Sequence, residues 1–308
     1  MKLSSFKERV SMNWQDSIKA LVLVVLVSAA PNSFAASWRF VNAIADKPWC
    51  EFEMPLQVYL KSADFLAEIR REDAGCIHSI AISGSITIED IERLDSLVSF
   101  YNSNPRVDRP FSINLNSPGG SVSAALAIAA SIRDLHSPLY QMGTFVGQNS
   151  QCLSSCTYIL AAGFQRSVFG EVGIHRPRFL PGDFENMGYE NLQAAYSGLY
   201  DHLSTFFSAA NLHPSFINAM WNVSSSEIRL LSKSDLSFFR LSGTDLVRQE
   251  EQILKLIQAC GEAGPDLKSD FKSVIADRCT EANGKVDNDC FANTLKNHPY
   301  GECYKRLY

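Results

Sequence analysis

The sequence predicts an α/β fold, with strands and helices in alternation, and a small disulfide-rich extension at the C-terminal end. Between residues 76 and 256, short runs rich in β-branched residues alternate with stretches whose apolar residues recur at helical spacing. Residues 257–308 are instead polar and rich in turn-forming residues and cysteine. Alternation of strands with helices is typical of βαβ units with right-handed crossovers.

The hydrophobic pattern gives an order of elements for the middle segment. Strands are predicted at residues 77–86, 110–116, 139–146 and 167–174. Helices are predicted at residues 88–101, 122–135, 155–162, 189–210 and 214–221. A glycine-rich turn separates the second strand from the second helix, and the third helix is short.

Composition divides the chain into four segments. Residues 1–35 are interpreted as a signal peptide, 36–75 as an N-terminal extension, 76–256 as the α/β domain and 257–308 as a cysteine-rich segment. The mature chain of roughly 270 residues is long enough for one large domain with an appendage.

The first segment has the pattern of an export signal. Basic residues precede an uninterrupted apolar or small run at residues 20–30, and Ser33-Phe34-Ala35 offers small residues, Ser33 and Ala35, to a signal peptidase. A membrane anchor is the alternative, but the run is shorter than the roughly 18 residues that a spanning helix needs. We therefore expect cleavage near Ala35 and a periplasmic or secreted protein.

The charge and the motif content exclude several partners. The chain has a formal net charge of -5, and loss of the basic signal would make it more acidic, so nucleic acid is not expected as a partner. No CxxC pair is present, and the spacing of Cys152 and Cys156 is not typical of a zinc site. We expect neither a metal nor another cofactor.

The cysteines predict disulfides. All eight follow the signal segment, and an even number in an exported chain favours bridges. Their clustering suggests a Cys50–Cys76 bridge, a Cys152–Cys156 bridge and two bridges within the last four. For Cys152 and Cys156 the alternative is a pair of buried free cysteines.

A glycine-rich turn is the first candidate for chemistry. Residues 116–121 read Asn-Ser-Pro-Gly-Gly-Ser, where a predicted strand ends and a helix begins. Pro118 restricts the backbone, while Gly119 and Gly120 permit conformations that are closed to other residues. Amide hydrogens that such a turn leaves free would suit an oxyanion.

Ser154 is the candidate nucleophile. It is predicted at the start of the short third helix, where unpaired amides and the helix dipole stabilise negative charge. A serine at this position is either a helix cap or a nucleophile, and capping is the more frequent role.

His175 is the candidate general base. It follows the strand that comes directly after the Ser154 helix, so the topology can bring its imidazole to the serine hydroxyl. None of the other histidines has this position. The alternative is a surface or structurally satisfied histidine.

These three motifs together resemble the proteolytic subunit of Clp protease and its relatives. The relatives include peptidases of the signal peptide peptidase A type and, more closely, exported Clp-like proteins with a Cys-x-Ser-x-Cys loop. The resemblance covers residues 77–245, and the motifs occur in the order of the family. It implies the Clp protease/crotonase-like fold, a spiral of ββα units.

The resemblance also implies roles for residues and partners. Ser154 matches the nucleophile, His175 the base, and the amides of Gly119, Gly120 and Ser155 the oxyanion hole. A peptide or protein would be the substrate, and homo-oligomers are common among the relatives. No ATPase partner is expected, because the Clp ATPase ring works in the cytosol.

The acid of the expected triad is not where the family has it. The matching position is Ile228, and isoleucine cannot accept the imidazole proton. Glu227 is the first candidate for this role, and Asp235 and Asp201 are others. Otherwise the site is a Ser-His dyad of low activity.

Other functions remain open at this point. In a Ser-Lys peptidase of the signal peptide peptidase type, Lys233 would replace the histidine as base. A binding or scaffold protein could keep the fold without hydrolysis, which Ile228 favours. Chemistry on coenzyme A thioesters shares the fold, but the serine and histidine motifs and the expected export disfavour it.

Overall fold

A computed structural model describes residues 36–42, 52–61, 78–103, 112–134, 142–179, 188–280 and 287–307. The expected signal peptide and the expected Cys50–Cys76 bridge lie outside these residues. Within them, none of the helices combines the length and the apolar character needed to cross a bilayer.

The protein is a mixed α/β structure built on a mostly parallel seven-stranded sheet, which confirms the expected class. The strands are β1 (Ser37–Asn42), β2 (Phe52–Pro55), β3 (His78–Ser83), β4 (Ser112–Asn116), β5 (Gly143–Val146), β6 (Gln151–Leu153), β7 (Gln165–Val168), β8 (Glu171–Ile174), β9 (Arg229–Leu230) and β10 (Gly243–Thr244). The large sheet has the order β10-β7-β5-β4-β3-β1-β2. Its four central strands are parallel, and β1, β2 and β10 join antiparallel at the edges.

Helices flank the sheet and form the C-terminal part of the chain. They are α1 (Leu56–Tyr59), α2 (Glu89–Ser103), α3 (Val122–Asp134), α4 (Cys156–Ala162), α5 (Tyr189–Ala209), α6 (Ser215–Trp221), α7 (Lys233–Phe238), α8 (Leu246–Cys260), α9 (Gly264–Val274), α10 (Asn288–Asn297) and α11 (Pro299–Leu307). A π-helical turn, Ile275–Cys279, follows α9.

A second sheet of three strands, in the order β6-β8-β9, carries the candidate site. β6 is parallel to β8, and β8 is antiparallel to β9. Twice along the chain, a strand of the large sheet is followed by a strand of the small sheet and then by a helix, as β5-β6-α4 and β7-β8-α5. This arrangement brings the ends of β6 and β8 side by side.

The strand predicted at residues 167–174 is two strands in different sheets. The chain turns at Phe169 and Gly170, between β7 and β8. A Cβ atom on Gly170 would lie 2.1 Å from the carbonyl oxygens of Gly147 and Ser150, so the two turns pack backbone against backbone. The short β6 follows the other turn and was not predicted, because three residues carry too little periodicity.

Small side chains allow helix α3 to pack closely against helix α4. Ala124, Ala125 and Ala129 of α3 are buried, and so is every residue of α4. Close packing on all sides leaves α4 little freedom to move. Its first turn is therefore a rigid support for the neighbouring Ser154.

Arg166 and Asp245 form a buried ion pair that joins β7 to the start of α8. Nη2 of Arg166 lies 3.3 Å from Oδ2 of Asp245, and both side chains are 1% exposed. The guanidinium also donates to the carbonyls of Gly163, Ala210 and Arg240. Burial lowers the pKa of Arg166 to about 10, and Asp245 opposes this shift, so the group stays charged at neutral pH.

We expect the substitution Asp245→Ala to destabilise the domain strongly. Arg166 would keep a buried charge without a counter-charge, and α8 would lose the side-chain cap that Asp245 gives to the Arg248 amide. The free energy of unfolding, measured with urea, should fall by about 3–5 kcal/mol. Asp270→Ala is the control, because this exposed partner of His298 should contribute less than about 1 kcal/mol. Equal losses in the two variants would contradict the prediction.

The C-terminal part is a helical unit with two disulfides. Cys260 pairs with Cys303, and Cys279 pairs with Cys290, which confirms two bridges within the last four cysteines. Its buried residues form a cluster of their own: Leu256, Phe271, Ile275, Cys279, Tyr300 and Cys303. So small a core is typical of units that need covalent reinforcement.

Helix α8 crosses the boundary expected at residues 256–257. It runs without interruption from Leu246 to Cys260 and ends where Gly261 adopts a φ of 77°. Residues 261–263 join α8 to α9, which begins with Gly264 and Pro265. The segment that the composition characterises as turn-rich is nevertheless mainly helical where it is described.

Candidate active site

Ser154 has a backbone conformation that few residues other than glycine adopt. Its φ is 55°, and among the described non-glycine residues only Asn211 and Arg240 also have a positive φ. This conformation costs on the order of 1–2 kcal/mol and persists only where the surroundings impose it. A strained turn from strand to helix exposes the hydroxyl of a nucleophilic serine. The N-cap of α4 is Ser155, so Ser154 does not have the capping role.

His175 lies within hydrogen-bond distance of Ser154. Nε2 of the imidazole is 2.6 Å from Oγ of the serine, and both side chains are partly buried. The Ser154 amide donates to the carbonyl of Gly173 at 2.9 Å, so the backbone also ties the serine loop to β8. The structure thus brings together the expected nucleophile and the expected base in the geometry of general base catalysis.

The glycine-rich turn packs directly against the serine loop. Gly119 and Gly120 have φ values of 97° and 149°. A Cβ atom on Gly119 would lie 2.7 Å from Cβ of Ser154, and one on Gly120 would lie 2.1 Å from the carbonyl oxygen of Ile86. Both positions therefore require glycine for the turn to come this close.

Two of the three expected oxyanion donors have free amides. The Gly119 amide donates to Oγ of Ser117 at 3.1 Å, so it is already used. Among the described residues, none accepts a hydrogen bond from the amide of Gly120 or of Ser155. Oγ of Ser155 donates to the Gly120 carbonyl at 3.1 Å and holds these two residues together. Gly120 and Ser155 are thus the available donors.

A disulfide encloses the serine loop. Cys152 and Cys156 are bonded, which confirms the expected bridge, and both are completely buried. Closing so short a loop contributes about 2 kcal/mol through the entropy of the unfolded chain, against about 4 kcal/mol for Cys260–Cys303. The Cys152–Cys156 bridge therefore contributes less to the free energy of unfolding than the Cys260–Cys303 bridge does. Its main effect is on the serine loop.

The other nitrogen of His175 has no partner. Nδ1 is buried, and no described residue forms a hydrogen bond with it. A serine that donates to Nε2 requires the proton to be on Nδ1, and a buried N–H without an acceptor costs about 1–3 kcal/mol. No described hydrogen bond therefore selects the productive tautomer, which is the role of the acid in a triad.

Ile228 lies across the strand pair from His175. Gly173 pairs with Leu230 and Ile174 with Arg229, and the same register carried one residue beyond the two strands would set Ile228 opposite His175. A Cβ atom on Gly173 would lie 2.5 Å from Cγ2 of Ile228. Because Gly173 and His175 are two residues apart, the isoleucine side chain is on their face of the sheet. The position that could hold an orienting acid is apolar.

The acidic candidates do not fill this gap. Glu227 is exposed and is not bonded to Nδ1 of His175, and Asp201 is exposed on α5. Asp235 accepts from Ser232 and pairs with Arg229, which lowers the pKa of its carboxyl group. The site in this structure is a pair of residues, Ser154 and His175, without a third.

Lys233, the alternative base, is exposed at the start of α7. The described contact of the Ser154 hydroxyl is with His175 instead. This arrangement favours the histidine over the lysine as the base.

His175 is adapted to be neutral at physiological pH. Burial lowers the pKa of its imidazole below the usual 6.5, and the charge of Arg178 adds to the shift. The backbone of Arg176 opposes it, although it makes no hydrogen bond to Nδ1. A neutral imidazole can accept the serine proton, whereas the imidazolium cannot.

We therefore expect the reactivity of Ser154 to be lost only in acid. The rate should be maximal above the pKa of His175 and should decline as the pH falls through it, with a midpoint below 6.5 and the slope of one proton. The rate of modification by a fluorophosphonate between pH 4.5 and 8.5 would measure this. A midpoint above pH 7 would contradict a histidine base in this environment.

The structure has another cleft, away from the serine. It has a volume of about 430 Å³ and lies between β10 and helices α8 and α9. Neither Ser154 nor His175 lines it. Among the described residues there is also no cluster of three or more side chains of the types that bind metal ions.

A scan of the sequence against models of known protein families finds no match, and a search among curated proteins finds no similar sequence. The interpretation of the site therefore depends on its geometry and on the motifs quoted above.

Two contributors to the site were not predicted from the sequence. Ser117 anchors the glycine-rich turn, because its amide and carbonyl bond to Gln151 and Leu153 of β6 and its hydroxyl accepts from Gly119. The Ser155 hydroxyl links the two loops through Gly120. The sequence does signal the role of Ser117, since a serine precedes Pro-Gly-Gly. The role of the Ser155 hydroxyl depends on a contact with a residue 35 positions away in the chain.

Proposed function

We propose that the protein is a serine hydrolase that cleaves peptide bonds by acyl transfer through Ser154 and His175. The observation that carries the proposal is the 2.6 Å approach of His175 Nε2 to Ser154 Oγ, at a serine with a φ of 55°. The free amides of Gly120 and Ser155 beside this serine support it. A serine that only caps a helix, or a histidine that only forms structural hydrogen bonds at the surface, would need none of these features.

The reaction follows from the positions of these groups. Nε2 of His175 takes the proton of Ser154 as Oγ attacks the carbonyl carbon, and the oxyanion receives the amide hydrogens of Gly120 and Ser155. The imidazolium then gives its proton to the leaving amine as the C–N bond breaks. Water then attacks the acyl-enzyme with His175 again as the base, which releases the carboxylic acid and restores the serine hydroxyl.

A Clp-like fold, a peptide substrate and export are parts of the same proposal. The two strand-strand-helix units and the order of the motifs support the Clp protease/crotonase-like spiral. Peptide specificity derives from that resemblance, since a fold alone does not define a substrate. Closed disulfides suit an oxidising compartment, as expected of a periplasmic or secreted protein. A homo-oligomer without an ATPase partner completes the proposal.

A protein that binds peptides without hydrolysing them is the second candidate. It is favoured by the unpartnered Nδ1 of His175 and by Ile228 at the position opposite. A dyad without an orienting acid retains part of its reactivity, so we propose slow hydrolysis in preference to none.

Covalent labelling distinguishes the two candidates. The purified protein is incubated with a fluorescent alkyl fluorophosphonate, and the modified residue is located by peptide mass spectrometry. A hydrolase should be labelled at Ser154, whereas the same protein unfolded in guanidinium should not. Incubation with a peptide library would then measure cleavage. A folded protein that takes up no label at Ser154 would refute the hydrolase and support the binding protein.

A further inference from the structure

The Cys152–Cys156 bridge encloses Ser154 without a role in the reaction described so far. One cysteine lies within β6, and the other is the first residue of α4. Their Cα atoms are 5.2 Å apart, and Ser154 is at the centre of the loop that they close. The bridge is thus a covalent link between the strand before the serine and the helix after it.

The loop has to hold two features that the proposed reaction needs. One is the left-handed conformation of Ser154, and the other is the free amide of Ser155. The hydrogen bonds from Leu153 to Ser117 and from Ser154 to Gly173 hold the strand side of the loop.

The noncovalent constraints on the helix side are close packing and short-range hydrogen bonds, such as those from the Thr157 amide and hydroxyl to the Ser154 carbonyl. The N-cap of α4 forms no side-chain capping bond, and the helix has seven residues. The Ser155 hydroxyl bond to Gly120 is one such constraint at this end. The buried disulfide at the first helical residue adds a covalent link from this closely packed helix back to β6.

We propose that Cys152 and Cys156 are positioning residues, whose bridge holds the Ser154 hydroxyl and the Ser155 amide in their reactive places. With the bridge closed, Oγ stays within reach of His175 and the amide stays beside Gly120. With the bridge open, the strain at Ser154 can relax and the serine loses reactivity. This inference rests on the proposed hydrolase function.

The same inference makes the site dependent on oxidation. In closing the bridge, the two thiols lose two protons and two electrons to a disulfide-type oxidant, which is reduced to its dithiol form. A chain in a compartment that keeps thiols reduced would fold with a relaxed site. It would become fully reactive only after it meets such an oxidant.

The double variant Cys152→Ala/Cys156→Ala tests this with the fluorophosphonate. We expect the maximal rate of Ser154 modification to fall at least about tenfold, since small displacements at a reactive centre have effects of this size. The apparent affinity for the probe should stay the same, because the bridge does not line a binding surface. Cys279→Ala/Cys290→Ala, which removes a bridge of the C-terminal unit, should keep the wild-type rate.

Reduction of the wild-type protein provides a second measurement, which does not depend on how well the alanine variant folds. Partial reduction with a phosphine, trapping with an alkylating agent and mass spectrometry give the fraction of Cys152–Cys156 that is open. The labelling rate should fall in proportion to that fraction.

The outcomes separate the two ideas. A labelling rate that is unchanged when this bridge is open would overturn the positioning role and leave the hydrolase intact. Equal losses in both double variants would also overturn it, because they would show a general effect on folding. A closed wild-type protein that is not labelled at all contradicts both proposals.

Discussion

The substitution Ser154→Ala is expected to abolish fluorophosphonate labelling and to reduce any peptide hydrolysis by roughly 10³-fold or more. The reason is that, in the proposed reaction, the Oγ atom 2.6 Å from the His175 imidazole forms the covalent bond. Ser226→Ala is the control, since this exposed serine bonds only within its own loop, to Ser224. A Ser154→Ala protein that still takes up the probe would place the nucleophile elsewhere.

Loss of the base should have a comparable effect without removal of the nucleophile. In His175→Ala the serine hydroxyl remains but has no proton acceptor, so labelling should slow by roughly 10³-fold. His202→Ala is a matched control, because burial likewise lowers the pKa of the His202 imidazole. Labelling that survives in His175→Ala would reopen the possibility of a lysine base such as Lys233.

The substitution Ile228→Asp is expected to increase the reactivity of Ser154 by roughly 10- to 100-fold. Position 228 is next to Gly173, and the register of β8 and β9 carried one residue further would set it opposite His175. A carboxylate there can accept the proton of Nδ1, select the productive tautomer and stabilise the imidazolium that forms in the reaction. It would also raise the pKa of His175, so the midpoint of the pH profile should move upward.

Two further variants at position 228 separate the effect of a negative charge from the effect of side-chain shape. Ile228→Asn offers an acceptor without a charge and should give a smaller gain, with little shift of the pH profile. Ile228→Leu should behave like the wild type. If Ile228→Asp and Ile228→Leu label at the same rate while both are folded, the missing acid is not what limits the site.

The sequence predicted the broad architecture because buried apolar residues recur with the period of a strand or of a helix. Strands β3, β4 and β5 and helices α2, α3 and α5 all lie within the predicted segments or overlap them closely. The error at residues 167–174 arose because seven of these eight residues are apolar or small, and the turn between β7 and β8 is only two residues long. Whether such a segment forms one strand or two depends on the sheet with which each half pairs.

The arrangement of the candidate site was predictable to a similar degree. Ser154, His175, Gly120 and Ser155 were identified from local motifs and their order, and the structure brings them together. Gly119 was expected to be a donor, but its amide bonds to Ser117. Glu227 was the first candidate for the acid, yet it is exposed and does not contact the imidazole nitrogen. The partner of the Gly119 amide and the surroundings of the Glu227 carboxylate depend on the three-dimensional direction of each group, and the spacing of motifs carries no information on direction.

By itself, the sequence determined the α/β class and the residue types at the candidate site, and it suggested the bridge around Ser154, because periodicity, turn chemistry and cysteine spacing are local properties of the chain. Only the tertiary structure decided that no described residue accepts a hydrogen bond from Nδ1 of His175 and that Ile228 packs against the nearby Gly173. These facts depend on the register of β8 against β9, two segments more than fifty residues apart in the chain. Register is determined by the packing of whole sheets, so no local pattern could have revealed it.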